Sequence, residues 1–179
     1  MTISKEILLD NNERLIISKA CNNDAEHIIA FLNRVGGETE FLTFGLGEFD
    51  VSLNEEIQII SNCLELNQRL MIVGKINDTI VSQLFLDRSN RTRLSHIGDI
   101  GISVGKAYRG HSIGTHMLSL AVGWSKANGL SKLQLQVRTD NHIAIKLYDK
   151  FGFTIEGTIS RAMKINDAYF DDYLMGLNL

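Results

Sequence analysis

The sequence predicts a mixed α/β domain in which some strands pair in hairpins and others are connected through helices. Three observations predict it. Short segments rich in β-branched residues recur along the 179 residues. Amphipathic stretches, with apolar residues at three- and four-residue spacing, separate several of these segments. Turn dipeptides, Asn77-Asp78 and Asn166-Asp167, join other segments directly. This combination is typical of a mixed sheet covered by helices.

The composition is that of an ordinary globular protein, with 44% hydrophobic and 22% charged residues. The net charge of -3 gives no general attraction to nucleic acid or to an anionic membrane. Cys21 and Cys63 lie far apart and without metal-ligand spacing, so we expect reduced thiols, a cytoplasmic location and no metal. No signal peptide or membrane span is predicted. We expect an N-terminal lead-in over residues 1–13 and a single domain over residues 14–179.

The first half of the chain is predicted to contain a strand, two helices and a hairpin. Residues 1–12 are polar and form either an irregular lead-in or a short first strand. The next elements are a strand at 14–18, a helix from about 24 that ends at Gly36-Gly37, a helix capped by Ser52 or Asn54 with Ile57, Ile60 and Leu64 on its apolar side through about Leu66, and strands at 70–75 and 79–86.

The second half is predicted to alternate strands and helices before a final hairpin. Its elements are a strand at 95–104, a helix at 112–128, a strand at 133–137, a helix capped by Asp140 or Asn141 that stops at Gly152, and strands at 153–159 and 169–177. Gly98 and Gly101 lie inside the first of these strands. They indicate either a β-bulge or a close approach of a ligand to the backbone.

The segment from Val104 to Trp124 leads from a strand, through a loop with little side-chain bulk, into an amphipathic helix. Helix N-termini carry free N–H donors and the positive end of the helix dipole, so this junction is a candidate phosphate site. It has neither the Gly-Lys-Ser/Thr of a Walker A loop nor G-x-G-x-x-G spacing. A simple turn remains the alternative.

Two segments, GISVGKAYRGHSIG and NHIAIKLYDKFGF, together resemble the GNAT superfamily of N-acetyltransferases. The first matches the Arg/Gln-x-x-Gly-x-Gly/Ala block that holds the coenzyme A pyrophosphate, and the second matches the block with Asn141, Ala144, Leu147, Tyr148, Gly152 and Phe153. Ser112 stands where the pattern has its middle glycine. A serine there can still cap the helix, and its hydroxyl could reach a phosphate oxygen.

The resemblance implies a central mixed, mostly antiparallel sheet flanked by about four helices, with acetyl-CoA as co-substrate. Backbone N–H groups of residues 109–115 would hold the pyrophosphate, and those of residues 102–104 would pair with the pantetheine arm or polarise the thioester carbonyl. The implied cofactor-binding residues are Ile102, Ser103, Val104, Arg109, Gly110, His111, Ser112, Ile113, Gly114, Thr115, Asn141 and Ala144.

The resemblance also suggests two catalytic residues. Tyr148 would protonate the departing thiolate, since a phenol with a pKa near 10 can donate to a thiolate whose conjugate acid has a pKa near 8.5. The alternative is a tyrosine that packs its helix against the sheet. Asp99 lies where many relatives carry a glutamate base, and it would act through water because its side chain is one methylene shorter. The alternative is a solvated strand residue.

The resemblance implies that the acceptor binds near the region between the first two helices. Glu38 and Glu40 would attract its ammonium group and Phe41 would form an apolar wall, although these carboxylates could equally be surface residues. The predicted function is direct acetyl transfer to a primary amine of a small molecule or of a protein or peptide N-terminus. A non-catalytic acyl-CoA sensor and a structural domain without cofactor are the alternatives. The resemblance also allows a homodimer.

Overall fold

The computed structural model describes residues 3–65 and 68–179. Within them the chain forms the following elements: β1 Ser4–Leu8, β2 Arg14–Lys19, α1 Ala25–Glu38, α2 Leu53–Glu65, β3 Arg69–Ile76, β4 Thr79–Arg88, β5 Ile97–Val104, α3 Ile113–Ala127, β6 Lys132–Arg138, α4 His142–Lys150, β7 Thr154–Ile165 and β8 Ala168–Asn178. Short 3-10 turns occur at Asn22–Asp24 and Lys106–Tyr108. The N-terminal segment therefore forms a first strand rather than an irregular lead-in.

The described strands form one eight-stranded sheet in the order β1-β2-β3-β4-β5-β6-β8-β7. The β5–β6 pair is parallel and the other pairs are antiparallel. The predicted mixed, mostly antiparallel sheet with about four helices is confirmed. The turns at Asn77-Asp78 and Asn166-Asp167 are also confirmed, since all four residues have the positive φ that a tight hairpin turn requires.

Helices cover both faces of the sheet, and each face has its own core. Alternate residues of a strand point to opposite faces. Leu70 and Ile72 of β3 therefore join the core that contains Met117 of α3. Met71 and Val73 join the second core, which is formed with α1 and α2. The two helix layers thus meet the sheet from opposite sides.

The prediction that the first helix ends at Gly36-Gly37 is wrong. Both glycines lie inside α1, which continues to Glu38. A Cβ at Gly36 would lie 2.5 Å from the carbonyl oxygen of Gly45. The glycine is therefore explained by the close packing of the following loop on the helix, not by a helix stop.

Ser52 is the residue that caps α2. Its hydroxyl accepts a hydrogen bond from the Glu55 N–H at 3.3 Å, and its own N–H donates to the Glu55 carboxylate at 2.9 Å. The expected burial of Leu64 is wrong, because Leu64 is exposed and Cys63 faces the core instead. The predicted end of the helix at Leu66 falls outside the described residues.

No bulge occurs at Gly98 or Gly101, since the β4–β5 register is continuous. A Cβ at Gly98 would lie 2.6 Å from the Cδ2 of Leu130, so close packing accounts for this glycine. A Cβ at Gly101 would meet nothing within 4 Å. The alternative prediction, an approach of a ligand to the backbone, remains open at Gly101.

None of the helices in the described part of the chain is long and apolar enough to cross a membrane. Among the same residues, no three histidine, cysteine, aspartate or glutamate side chains are grouped so that they could hold a metal ion.

Candidate active site

The parallel pairing of β5 with β6 stops early and leaves a gap in the sheet. Residues 97–99 pair with residues 132–134, whereas the rest of β5 pairs with β4 and the rest of β6 pairs with β8. A cavity of about 620 Å³ lies at this gap. It is lined by residues 100–104 of β5, residues 136–137 of β6, and parts of α3, α4 and the segment 39–43.

The free edge of β5 provides backbone donors and acceptors along the cavity. Ile102, Ser103 and Val104 line it, and their edge on the β6 side has no strand partner among the described residues. An extended ligand can pair with such an edge in the way that an added strand does. Gly101 lines the same wall without a side chain. This edge therefore fits an amide-containing, extended group.

The loop before α3 has the geometry of an anion site. Gly110 and Ser112 have φ values of +92° and +60°. Backbone turns of this kind form concavities that bind anions. The first hydrogen bond of α3 runs from the His116 N–H to the Ser112 carbonyl at 3.1 Å. The N–H groups of residues 113–115, which line the cavity, are therefore left without an intrahelical partner.

Ser112 is the N-terminal boundary residue of α3, but the prediction that its side chain caps the helix is wrong. No hydrogen bond links its side chain to the first turn. The residue adopts the left-handed conformation, which costs a non-glycine residue about 1–2 kcal/mol. This requirement explains why the family pattern has a glycine at this position.

Gly114, in the first turn of α3, and His111, in the loop before it, make contacts with other parts of the chain. A Cβ at Gly114 would lie 3.0 Å from the Cδ2 of Leu147, so Gly114 allows α3 and α4 to pack closely. The His111 ring is hydrogen-bonded to Asp10, in the turn between β1 and β2, and its side chain does not line the cavity. This hydrogen bond holds the pKa of Asp10 below its usual value.

The N-terminal end of α4 forms another wall of the cavity. Asn141 caps the helix by accepting a hydrogen bond from the Ala144 N–H at 3.3 Å, and both residues line the cavity. Lys146 and Lys150 also line it. Sequence reasoning missed these two lysines, although their four-residue spacing places them on one face of the helix. They add positive charge to the same cavity that the candidate phosphate site lines.

Tyr148 is buried and lines the cavity. Its ring centroid lies 5.6 Å from that of Phe153, so the residue also packs α4 against the sheet. Burial raises the pKa of Tyr148 to about 12, and the phenol therefore stays protonated at neutral pH. Tyr148 thus packs in the core and also borders the cavity, as a proton donor to a bound ligand must. Its catalytic role stays a prediction.

Asp99 lies at the last parallel pair, where the gap between β5 and β6 begins. Its carboxylate is exposed and accepts a hydrogen bond from the Gln134 side chain at 2.8 Å. Asp99 is not among the residues that line the cavity, and none of the described lining residues is an aspartate or a glutamate. Its role as a base stays a prediction that requires a water relay.

Comparison with known proteins agrees with this geometry. The sequence model of the acetyltransferase (GNAT) family matches residues 39–153, more than half of the chain. The chain belongs to this family. A GNAT acetyltransferase from Streptococcus pneumoniae is 32% identical, with a TM-score of 0.89 over 92% of this chain and 99% of that chain. The resemblance recognised in the two sequence blocks is thereby confirmed.

Two further proteins extend the comparison, one by sequence and one by fold. The L-amino acid N-acetyltransferase AaaT of Escherichia coli (strain K12) is 32% identical over 108 residues, which are 58% of this chain and 65% of that protein. The chain thus spans less than two thirds of that relative. The putative acetyltransferase yncA of Salmonella typhimurium, solved with its cofactor acetyl-CoA, has the same fold, with a TM-score of 0.81 and 16% identity over 92% of this chain and 94% of that chain.

The residues predicted to bind the acceptor lie at different places. Phe41 lines the cavity, whereas Glu38 and Glu40 do not. The Glu38 carboxylate accepts a hydrogen bond from the Lys106 N–H at 2.7 Å and lies 3.6 Å from the Arg34 Nε. Glu40 is exposed, and its carbonyl accepts a hydrogen bond from Arg138. The structure therefore brings Phe41 to the cavity, while Glu38 is engaged within the protein.

Proposed function

We propose that this protein transfers the acetyl group of acetyl-CoA directly to a primary amine of a small molecule or of a protein or peptide N-terminus. The observation that carries the proposal is the cavity at the β5–β6 gap. It combines an unpaired strand edge, an anion-binding loop at a helix N-terminus and a buried tyrosine. Each of these features fits one part of a thioester substrate with a pyrophosphate.

The residues of the cavity fit the pyrophosphate, the pantetheine arm and the thioester of acetyl-CoA. The pyrophosphate would lie at the loop of Gly110 and Ser112 and the free N–H groups of residues 113–115. The pantetheine arm would lie along residues 102–104. When bound, acetyl-CoA supplies an acetyl group activated as a thioester. An N–H group of the β5 edge would donate to the carbonyl oxygen, where negative charge develops.

Tyr148 would hold the proton that the departing thiolate needs. Its raised pKa, about 12, keeps the proton on the phenol through the physiological range. The same burial makes the phenol a weaker acid than an exposed tyrosine. The thiol has a pKa near 8.5, so complete proton transfer from this phenol to the thiolate is uphill, and the hydrogen bond that the phenol donates would stabilise the negative charge that forms on sulfur as the C–S bond breaks.

Asp99 would take the proton of the amine through water. Its exposed carboxylate is oriented by Gln134 at the start of the gap, outside the cavity lining. A base in this position reaches a bound amine by a relay rather than by direct contact. An acceptor that arrives as the neutral amine still loses one N–H proton after it attacks the carbonyl, and the relay would take that proton.

The acceptor class is supported by the wall at Phe41 and by the family. The named activity of the Escherichia coli relative is N-acetylation of L-amino acids. Free L-amino acids are therefore the first acceptors to test, with polyamines and short peptides as the other classes. The apolar ring of Phe41 favours acceptors with an apolar group beside the amine.

A non-catalytic acyl-CoA sensor is the alternative, and one observation favours it. The described lining residues include no carboxylate that could act as a base by direct contact. The deciding experiment is the release of free thiol from acetyl-CoA in the presence of L-amino acids, polyamines and tripeptides. Release with one class supports the transferase. Saturable acetyl-CoA binding without thiol release in any class supports the sensor.

A further inference from the structure

Arg138, at the carboxyl end of β6, is a buried cation, and each of its three side-chain nitrogens donates a hydrogen bond within the protein. Its Nε and Nη2 donate to the two carboxylate oxygens of Asp140, at 3.0 Å and 2.6 Å. Its Nη1 donates to the Glu40 carbonyl at 2.9 Å. The side chain is only 4% exposed. A guanidinium held in this way is fixed in orientation and is not available to bind a substrate carboxylate.

Two aromatic rings lie against the same guanidinium. Its central carbon is 4.8 Å from the ring centroid of Phe41 and 3.7 Å from that of Phe170. Contacts of this kind are favourable and become stronger when the cation is desolvated. Phe41 lines the cavity, whereas Phe170 belongs to β8 and does not. Arg138 therefore connects the interior of the sheet with one wall of the cavity.

A buried carboxylate lies beside this cluster. Asp172 of β8 pairs with Arg138 in the antiparallel β6–β8 register and is 7% exposed. Its Oδ1 has no hydrogen-bond partner among the described residues. Burial raises the pKa of Asp172, and the positive charge of Arg138 opposes this rise. Removing the cation would leave the Asp172 carboxylate without a neighbouring positive charge, and a buried unpaired charge lowers the stability of the protein. The charge of Asp172 therefore favours an arginine at position 138.

We propose that Arg138 is a positioning residue that holds the acceptor wall, defined as residues 39–43, against the carboxyl end of β6. Through the Glu40 carbonyl and the Phe41 ring, it sets the distance between this wall and the lining residues of β6, Gln136 and Val137. The role of Arg138 in acceptor binding rests on the proposed acetyltransferase function. Its effect on the position of residues 39–43 does not depend on that function.

The wall needs such a contact because the segment after α1 lacks regular structure. Residues 39–51 form bends and turns between two helices. Within this segment the Gly45 N–H donates to the Glu48 carboxylate and the Phe41 N–H donates to the Thr39 hydroxyl at 3.4 Å, while the Phe49 N–H donates to the Asn33 side chain of α1. Leu42 of the wall packs against the core formed with α1 and α2, and Arg138 connects Glu40 and Phe41 to the end of β6. A misplacement of about 1 Å in a substrate-positioning group can lower the rate about 10²-fold.

Arg138→Met tests the proposal because it removes the charge and the donors while keeping an unbranched, apolar side chain. We expect kcat/KM for the best amine of the L-amino acid, polyamine and tripeptide panel to fall about 10²-fold. We expect the Kd for acetyl-CoA to be unchanged, because the loop of residues 109–115 is not part of the cluster. Arg138→Lys should not rescue the activity, since an ammonium cannot provide the planar fork.

A second variant and a control guard against a folding defect. Phe170→Leu keeps Arg138 and Asp172 but removes one ring that lies outside the cavity. We expect a fall of about tenfold in acceptor kcat/KM, again without loss of acetyl-CoA binding. Arg161→Met is the matched control. Arg161 lies 4.1 Å from the Tyr169 ring in the β7–β8 hairpin, away from the cavity, and its loss should leave both constants unchanged.

A readout independent of catalysis separates this proposal from the proposed function. Chymotrypsin sites at Phe41, Leu42 and Phe44 lie in or beside the acceptor wall. Under native conditions, cleavage there should be faster in Arg138→Met and Phe170→Leu than in the native protein and Arg161→Met. Equal cleavage in all four proteins, or unchanged acceptor kinetics in Phe170→Leu, would overturn the proposal. A native protein that acetylates no amine contradicts the proposed function, while the cleavage comparison still decides the role of Arg138.

Discussion

At the scale of single residues, Tyr148 shows how one side chain meets two requirements. Its ring packs against Phe153 and completes the core, while the same residue lines the cavity. The two interpretations that the sequence left open, packing and catalysis, are therefore compatible. Burial raises its pKa to about 12, which keeps the proton in place but weakens the acid.

Tyr148→Phe separates the two roles, because phenylalanine keeps the packing and loses the proton. We expect kcat to fall about 10²-fold and the Kd for acetyl-CoA to stay the same. An acid catalyst is active while protonated, and a pKa of about 12 keeps Tyr148 protonated up to about pH 10. The pH profile of native kcat should therefore show no alkaline decline caused by Tyr148 below that pH. Unchanged turnover in the variant would remove Tyr148 from its proposed role.

Ser112 is the residue at which the chain departs from the family pattern, and its left-handed backbone conformation lowers the stability of the protein. It holds a φ of +60° without a side-chain cap. Glycine adopts this conformation freely but gains more freedom in the unfolded chain. We expect Ser112→Gly to stabilise the protein by about 1 kcal/mol, which raises Tm by roughly 2–4 °C.

Ser112→Ala is the matched variant, because it keeps the backbone strain and removes the hydroxyl. Thermal melts without ligand should show no gain for Ser112→Ala. Isothermal titration with acetyl-CoA then tests the predicted hydroxyl contact with phosphate. Weaker binding in both variants supports that contact, and unchanged binding in both means that the backbone N–H groups suffice. A Ser112→Gly protein no more stable than Ser112→Ala would contradict the strain argument.

At the scale of elements, the glycines of α1 and α3 show what a local pattern can and cannot predict. Gly36 is inside α1 because the loop carbonyl of Gly45 packs against it. A Gly-Gly pair at the end of an apolar pattern indicates a helix stop from sequence alone. The contact that explains Gly36 comes from an irregular loop, which no local pattern predicts. Gly123 of α3 is exposed, and a Cβ there would meet nothing within 4 Å.

Gly36→Ala and Gly123→Ala therefore form a matched pair. Alanine is favoured over glycine in a helix interior by about 1 kcal/mol, and we expect Gly123→Ala to gain up to this amount. In Gly36→Ala the added methyl group collides with the Gly45 carbonyl, and we expect a loss of about 1–3 kcal/mol. Urea unfolding measures both. If the two variants changed stability in the same direction, the proposed packing of the loop on α1 would be wrong.

At the scale of the whole molecule, the succession of strands and helices along the chain and the two sequence blocks could be predicted because their signals are local. Apolar periodicity and turn residues specify most strands and helices, and the first block lies at a strand-to-helix junction that the structure preserves. The partners of Asp99, Glu38 and Arg138 could not be predicted. They are set by long-range pairings, such as that of Asp99 with Gln134, which no local pattern encodes. The domain division and a homodimer stay predictions.

The position of the cavity in the sheet explains why acetyl-CoA should stabilise the protein. The cavity lies where the sheet is interrupted, between the half that contains β5 and the half that contains β6. A ligand bound to the native state alone adds about 2.7 kcal/mol at 100 times its Kd, a rise in Tm of roughly 5–10 °C. Thermal melts with and without acetyl-CoA measure this rise.

Gly110→Ala should reduce the rise in Tm that acetyl-CoA causes, because a φ of +92° strains any other residue in the phosphate loop. Gly129→Ala is the control: Gly129 has a φ of +74° and also open space around it, but it lies at the far end of α3. Both variants should lower the stability of the free protein, and only Gly110→Ala should diminish the effect of the ligand. The absence of a shift at millimolar acetyl-CoA in the native protein would contradict both the transferase and the sensor.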